Sequence, residues 1–207
     1  CPWADYAILE AREAMGGTWD LFRYPGLRSD SDMFTLGYSF RPWDGAKAIA
    51  DGDSILNYVR ETAAEEGIDG KIRYGHRIVA ANWSTENARW TVQVERSGSD
   101  DPTTLTCDFL FSCTGYYRYD HGYTPDFPGM DTFGGTVVHP QHWPDDLDVT
   151  GKRVVVIGSG ATAITLIPSL AHDAEHVTML QRTPSYVASL PAINPLADGA
   201  RRWLPAK

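Results

Sequence analysis

The segment that most limits the fold is a short apolar run, Val154, Val155, Val156 and Ile157, followed at once by Gly158-Ser159-Gly160-Ala161-Thr162-Ala163. The run reads as a buried strand. The spacing after it is G-x-G-x-x-A, at a point where a strand turns into a helix. Gly158 permits the tight turn, Gly160 lets the backbone approach a pyrophosphate, and Ala163 lets the helix pack closely on the strand. A helix starting there aims its unpaired N–H groups at an anion. Residues 176–180 read as a second strand. Strand, turn, helix and strand together take about 30 residues, the length of a mononucleotide-binding unit. Pro168 lies inside the helical pattern and removes one backbone bond, so a kink or an early end is expected there. The competing reading is a structural glycine turn in an α/β protein.

The end of the second strand selects the dinucleotide. NAD-binding units place Asp or Glu about 20 residues past the motif, on the ribose 2′-hydroxyl. Here the residues are Gln181, Arg182 and Thr183. A cation and a hydroxyl suit a 2′-phosphate, which an acid would repel, so NADPH is favoured over NADH. The competing reading of Arg182 is a solvated surface charge.

Upstream, residues 6–10 read as a short buried strand ending in Glu10. In a dinucleotide-binding unit such an acid contacts the adenosine ribose, but the glycine motif that should precede it is absent. The competing reading is that many strands end in Glu. Gly16, Gly17, Thr18 and Trp19 come next as a glycine turn. Residues 20–44 are aromatic and rich in Pro and Gly, predicting an ordered loop with one helical turn. Residues 54–66 have helical periodicity, with Asp53 as N-cap and Gly67 as terminator. Alternation predicts strands over 72–83 and 89–96 with a turn at 85–87. Residues 97–103 read as a polar turn. Residues 104–114 read as a strand with Phe109, Leu110 and Phe111 buried. Residues 116–150 lack periodicity and read as a connection between domains. The predicted division is 1–115, 116–150 and 151–207.

Composition narrows the partners. The 207 residues are 43% hydrophobic and 22% charged, as in ordinary soluble globular chains. The net charge is −9 with no basic block, which argues against nucleic acid or an anionic membrane surface. No apolar run is long enough for a membrane span, and the first residues lack the pattern of a secretory signal. Cys1, Cys107 and Cys113 form no C-x-x-C pair, so a dithiol centre or zinc site is disfavoured. Reduced thiols in a cytoplasmic protein are expected.

Residues 133–144 read Phe133-Gly134-Gly135-Thr136-Val137-Val138-His139-Pro140-Gln141-His142-Trp143-Pro144. Phe133, Gly135, His139, Trp143 and Pro144 fit F-x-G-x-x-x-H-x-x-x-W-P at every fixed position. That string resembles the fingerprint of the Baeyer–Villiger monooxygenases, a family of flavoproteins. Relatives that oxidise nitrogen and sulfur usually carry Tyr or Phe where Trp143 stands. Gly17-Thr18-Trp19, Arg23-Tyr24-Pro25-Gly26-Leu27-Arg28-Ser29-Asp30 and Cys113-Thr114-Gly115 also resemble that family. Arg28-Ser29-Asp30-Ser31-Asp32-Met33 looks closest to its ethionamide-activating branch. The resemblance runs from Tyr6 to about Pro184.

The resemblance implies an α/β fold with two Rossmann-like dinucleotide-binding domains, both incomplete. The FAD domain would lack its first strand and glycine motif, and the NADPH domain would be cut short. Glu10 would bind the FAD adenosine ribose. Gly17, Thr18, Trp19, Asp20 and Leu21 would pass close to the flavin, and Ile78 would contact the adenine part through its backbone. Asp30 would sit in the reaction centre, with Arg28 and Ser29 near the nicotinamide. Residues 158–163 would hold the NADPH pyrophosphate, and Gln181, Arg182 and Thr183 would lie at its 2′-phosphate. His139 is read as linker structure or domain coupling and Trp143 as a packing anchor. An Arg that pairs with Asp30 in the family is expected outside these residues, and neither Arg23 nor Arg28 takes that role.

The implied activity is FAD- and NADPH-dependent insertion of one oxygen atom from O₂ into ketones, giving esters or lactones, with sulfur oxidation besides. The 207 residues alone are expected to bind FAD poorly and not to turn over. Two other readings stay open: a monooxygenase working mainly on nitrogen or sulfur, and a non-catalytic remnant that binds NADP at most.

Overall fold

The structure is a computed structural model that describes residues 3–189, 191–195, 199, 200 and 203. Cys1 lies outside the described residues. The element order is β1 (Ile8–Leu9), α1 (Thr18–Leu21), α2 (Met33–Leu36), α3 (Gly52–Glu65), β2 (Ile72–Arg73), β3 (His76–Ser84), β4 (Arg89–Arg96), β5 (Ser99–Cys107), β6 (Arg153–Ile157), α4 (Ala161–Leu170) and β7 (His176–Leu180), with short 3₁₀ turns between. The fold is α/β. Residues 3–20 with 59–117 form one compact unit, and residues 21–58 with the described residues from 118 onward form another.

In the first unit β1 pairs in parallel with β2, Ile8 opposite Ile72. The buried strand expected over 6–10 is shorter and more open than that. Ile8 is 38% exposed, because a pair of two residues leaves its faces uncovered. β3, β4 and β5 form an antiparallel meander. Val92 and Val94 of the central strand are buried, and Trp83 stands opposite Trp90 with ring centroids 5.6 Å apart. Such cross-strand aromatic pairs stabilise a hairpin beyond their buried area.

Two expectations fail here. Residues 97–103 are not simply a turn, since β5 already begins at Ser99. Its register slips so that Asp100, Asp101 and Pro102 lie opposite Glu95 alone. An edge strand tolerates a proline that cannot donate to the ladder. Conversely, β5 ends at Cys107, and Phe109 and Phe111 are each 77% exposed. No strand among the described residues runs beside 109–114, so this apolar run finds no partner to bury it.

In the second unit β6 and β7 are parallel and paired over all five residues. α4 packs on one face of that pair. Phe22, Tyr24, Leu166 and Leu170 form the buried cluster, with Leu27, Trp143, Val154, Val156 and Val177 against it. Burying a Leu or Phe side chain contributes roughly 1.5–3 kcal/mol, so this cluster is the apolar support that holds α4 on β6 and β7. β6 is not buried on both faces as expected. Val155 and Ile157 are 60% and 59% exposed, because alternation turns them away from α4. Pro168 lies in the last turn of α4, which ends two residues later at Leu170.

α3 starts at Gly52, and its cap is Asp51 rather than Asp53. Asp51 Oδ1 accepts from Ser54 N at 3.0 Å and from Ser54 Oγ at 2.7 Å. Asp53 sits in the first turn, where its charge favours the helix dipole. Gly67 ends the helix as expected, at φ +62°, with Ile68 N donating to Ala63 O at 2.7 Å.

Candidate functional site

Where β6 runs out, Gly158 takes φ +127°, a conformation that side chains resist, and its N–H donates to Leu180 O at 2.8 Å. That bond fastens the glycine turn to the end of β7. Gly160 is the N-cap of α4 and supplies no side-chain bond. Two other helix starts contrast with it: Asp32 closes α2 and Asp51 closes α3, each with its side chain. The first N–H groups of α4 are therefore left for an outside acceptor. A Cβ built on Gly158 or Gly160 would meet nothing within 4 Å, so the space before the turn is open. Ala163 is buried against the unit, as its small size requires. Ser159 Oγ donates to Thr183 O at 3.4 Å and lies 3.0 Å from Ser185 Oγ. Arg182 and Thr183 are exposed beside this turn, and so is Gln181. These residues fit a dinucleotide: an uncapped helix start, room for a pyrophosphate, and a cation at the strand end.

In the first unit Glu10 comes directly after β1, and its Oε1 accepts from Arg12 N at 2.9 Å. Gly16 and Gly17 both take positive φ, +116° and +55°, as a glycine turn demands. Asp20 is buried, and both its oxygens are used within the protein. One meets Arg12 Nη2 at 2.7 Å and the other meets Arg60 Nη2 at 2.8 Å. The clamp holds the turn over Gly17, Thr18 and Trp19. Neither arginine was legible as a site residue, since Arg60 stands 40 residues from Asp20 in the chain. Ile78 lies at a register irregularity of β3, between Ile78 and Ala80. A bulge of this kind frees backbone groups from the ladder, which suits a residue expected to act through its backbone.

Leu21, Arg28, Ser29 and Asp30 belong to the second unit. Ser29 is buried, accepts from Ser31 N at 3.1 Å and donates to Ser31 O at 2.7 Å. Arg28 and Asp30 are exposed. Tyr24 is buried next to this loop. Burial pushes its phenol pKa up, a hydrogen bond with the Thr162 side chain pulls it down, and the Asp30 charge pushes it up further.

The segment 133–144 is held from within its own unit. His139 Nδ1 accepts from Gln141 N at 3.2 Å, and buried Gln141 donates to the carbonyl of Arg118. A Cβ on Gly122 would overlap the His139 ring, so Gly122 is needed for that ring to lie where it does. Burial, then the neighbouring His142, lowers the pKa of His139. Trp143 packs on the Tyr24–Leu166 cluster, and Phe133 is 62% exposed. A Cβ on Gly135 would overlap the Phe133 ring, and Pro144 O accepts from Leu147 N at 3.3 Å. Among the described residues no helix is long and apolar enough to cross a membrane.

A parallel strand pair, a glycine turn and an uncapped helix define an α/β protein of the dinucleotide-binding class. Residues 44–193 match the flavin-binding monooxygenase-like family, and the chain belongs to that family. It is 59% identical over 206 residues to the FAD-containing monooxygenase EthA of Mycobacterium tuberculosis, covering 99% of this chain and 42% of EthA. It resembles a steroid monooxygenase bound to NADP, with TM-score 0.77 and 33% identity over 95% of this chain and 38% of that one. It also resembles an ε-caprolactone-bound cyclohexanone monooxygenase, with TM-score 0.78 and 25% identity over 95% of this chain and 39% of that one. The chain thus spans about two fifths of the length of the relatives it matches.

Proposed function

We propose that these residues belong to an FAD- and NADPH-dependent monooxygenase that inserts one oxygen atom from O₂ into ketones to give esters or lactones, and also oxidises sulfur. The observation that carries the reading is the open glycine turn between β6 and α4 with Arg182 and Thr183 at the end of β7. The fingerprint at 133–144 and the steroid and cyclohexanone monooxygenases among the similar structures support the ketone chemistry. EthA, an FAD-containing monooxygenase, supports the flavin.

Each residue has a role in this reading. Backbone N–H groups at the start of α4 meet the pyrophosphate, with Gly158 and Gly160 leaving room and Ser159 and Ala161 lining the turn. Arg182, with Gln181 and Thr183 beside it, answers the 2′-phosphate. Glu10 keeps one carboxylate oxygen for a ribose hydroxyl while the other accepts from Arg12 N. Gly17, Thr18 and Trp19 line the flavin side, positioned by Asp20, with Leu21 at the end of the same short helix. Arg28, Ser29 and Asp30 stand on the nicotinamide side, and Asp30 touches the reacting atoms. Together the two cofactors supply a hydride donor and an oxygen-activating flavin, while the protein supplies position and charge. The chain then forms parts of an FAD domain and an NADPH domain, joined through residues 116–150.

Titration of the purified chain with NADPH and NADH, followed by tryptophan fluorescence, tests the nucleotide site. A charge-assisted bond contributes about 1.5–3 kcal/mol, so NADPH binds roughly tenfold tighter or more. Arg182→Glu abolishes that preference. Equal binding of both nucleotides by the unaltered chain overturns the assignment. The 207 residues alone carry no firmly held flavin and do not turn over, and a flavin spectrum with ketone-dependent NADPH oxidation contradicts this. A protein of the relatives' full length that carries these residues converts a ketone to an ester or lactone. Conversion of a thioether or amine alone supports the nitrogen- and sulfur-oxidising reading instead, which Trp143 argues against.

A further inference from the structure

The glycine turn and the end of β7, which would hold separate phosphate groups of one nucleotide, are laced together at three points. Gly158 N donates to Leu180 O at 2.8 Å. Ser159 Oγ donates to Thr183 O at 3.4 Å and lies 3.0 Å from Ser185 Oγ. Arg182 stands between the first tie and the second, so its backbone is held from both sides while its side chain is exposed. The stretch is stiff as well as tied. The ring of Pro184 fixes its own φ and keeps Thr183 extended. The tie at Ser185 therefore bears on Thr183 through a link with little freedom.

The direction of the hydroxyl bonds follows from counting protons. A serine hydroxyl carries one proton and two lone pairs. Ser159 gives its proton to Thr183 O, so the bond between the two hydroxyls is donated by Ser185. Both protons are then spent inside the protein, and neither hydroxyl is left to donate to a phosphate.

We propose that Ser185 is a positioning residue for the 2′-phosphate: through Ser159 it sets how far Arg182 stands from the glycine turn, and so tunes the choice between NADPH and NADH. A cation already placed at the right distance from the pyrophosphate site loses less freedom when the 2′-phosphate arrives. NADH has no group at that place and gains nothing from the tie. The inference rests on the nucleotide reading of residues 158–163 and 181–183.

The test uses the purified 207-residue chain with Ser185→Ala, Ser185→Thr, Ser159→Ala and the double alanine variant. Dissociation constants for NADPH and NADH are read by tryptophan fluorescence, and their ratio is the quantity of interest. In Ser185→Ala the constant for NADPH rises about two- to tenfold, while that for NADH stays unchanged. Ser185→Thr keeps the hydroxyl and keeps the preference. The ratio in the double variant is no lower than in the weaker single one, as expected for members of one relay. Equal losses for both nucleotides in Ser185→Ala, or no loss for either, overturn the proposal and leave the nucleotide reading intact. Additive losses in the double variant show that the two serines act separately, and also overturn it. Equal binding of NADPH and NADH by the unaltered chain overturns the nucleotide reading as well.

Discussion

Among the described residues two strand pairs are parallel, β1–β2 and β6–β7, and they are held in different ways. The second pairs five residues in unbroken register and carries α4 on one face. The first pairs only two residues and leaves Ile8 exposed. The glycine turns beyond the two pairs are supported just as differently. The turn after β6 rests on apolar packing from Ala163, Leu166 and Leu170. The turn after β1 rests on a charged clamp, with Asp20 between Arg12 and Arg60. A turn meant to face a ligand can thus be fixed from behind by a packed helix or by an ion cluster. The two supports should respond differently to mutation.

The largest expected effect lies in the packed support. Leu170 is 2% exposed, and its truncation leaves a cavity under β6 and β7. Leu170→Ala should cost about 2–5 kcal/mol, read as a drop in the denaturant midpoint with unchanged slope. Ile8→Ala, at a 38% exposed position, should cost well under half of that. Equal costs at the two positions would erase the contrast between the pairs.

The charged support should give a smaller effect. Asp20→Ala leaves Arg12 and Arg60 without their shared acceptor, but both guanidinium groups are partly exposed and water screens them. A loss of about 1–3 kcal/mol is expected. Asp20→Asn, which keeps shape and hydrogen bonding but not charge, should lose less. Rising salt should weaken the unaltered chain and leave Asp20→Asn nearly unaffected, as read by thermal unfolding at two ionic strengths. An unchanged salt response in Asp20→Asn would show that the clamp acts through hydrogen bonds rather than charge.

The same contrast explains which features were legible in the sequence. The second site is local: strand, glycine turn, helix and strand succeed one another, and β7 falls at 176–180 as read. Gly67 and the helical turn within 20–44 were likewise written in short-range pattern. The first site depends on distant partners. Nothing near Asp20 signals Arg60, and nothing in Phe109-Leu110-Phe111 says that no strand will lie beside it. Asp53 was read as the cap of α3 because it precedes the periodic run, whereas the spacing from Asp51 to Ser54 is the one that caps. The G-x-G-x-x-A motif carries no hint that the Gly26 turn packs on α4, where a Cβ on Gly26 would overlap Ser169 Oγ.

The smallest effect separates two helix starts, one closed and one open. Asp51→Ala removes the cap of α3 and should cost about 1 kcal/mol at neutral pH. The cost should depend on pH. The hydrogen bonds from Ser54, side chain first, lower the Asp51 pKa in the folded protein, with the Lys47 charge a minor contributor. A carboxylate whose folded pKa is depressed adds stability above its unfolded value, near 3.8, and loses it as pH falls through the folded value. The unaltered chain and Asp51→Ala should therefore converge in stability below that range. Gly160→Ser should behave in the opposite way. A serine cap on α4 gains a few tenths of a kcal/mol over glycine, and its allowed backbone, φ −77° and ψ −179°, imposes no strain. Yet it spends an N–H that the pyrophosphate needs and fills the open space before the turn, so NADPH should bind more weakly to a chain that is slightly more stable. A Gly160→Ser chain that kept full NADPH affinity would show that the uncapped start of α4 has no part in holding the nucleotide, and the distinction between the two helix starts would then be one of stability alone.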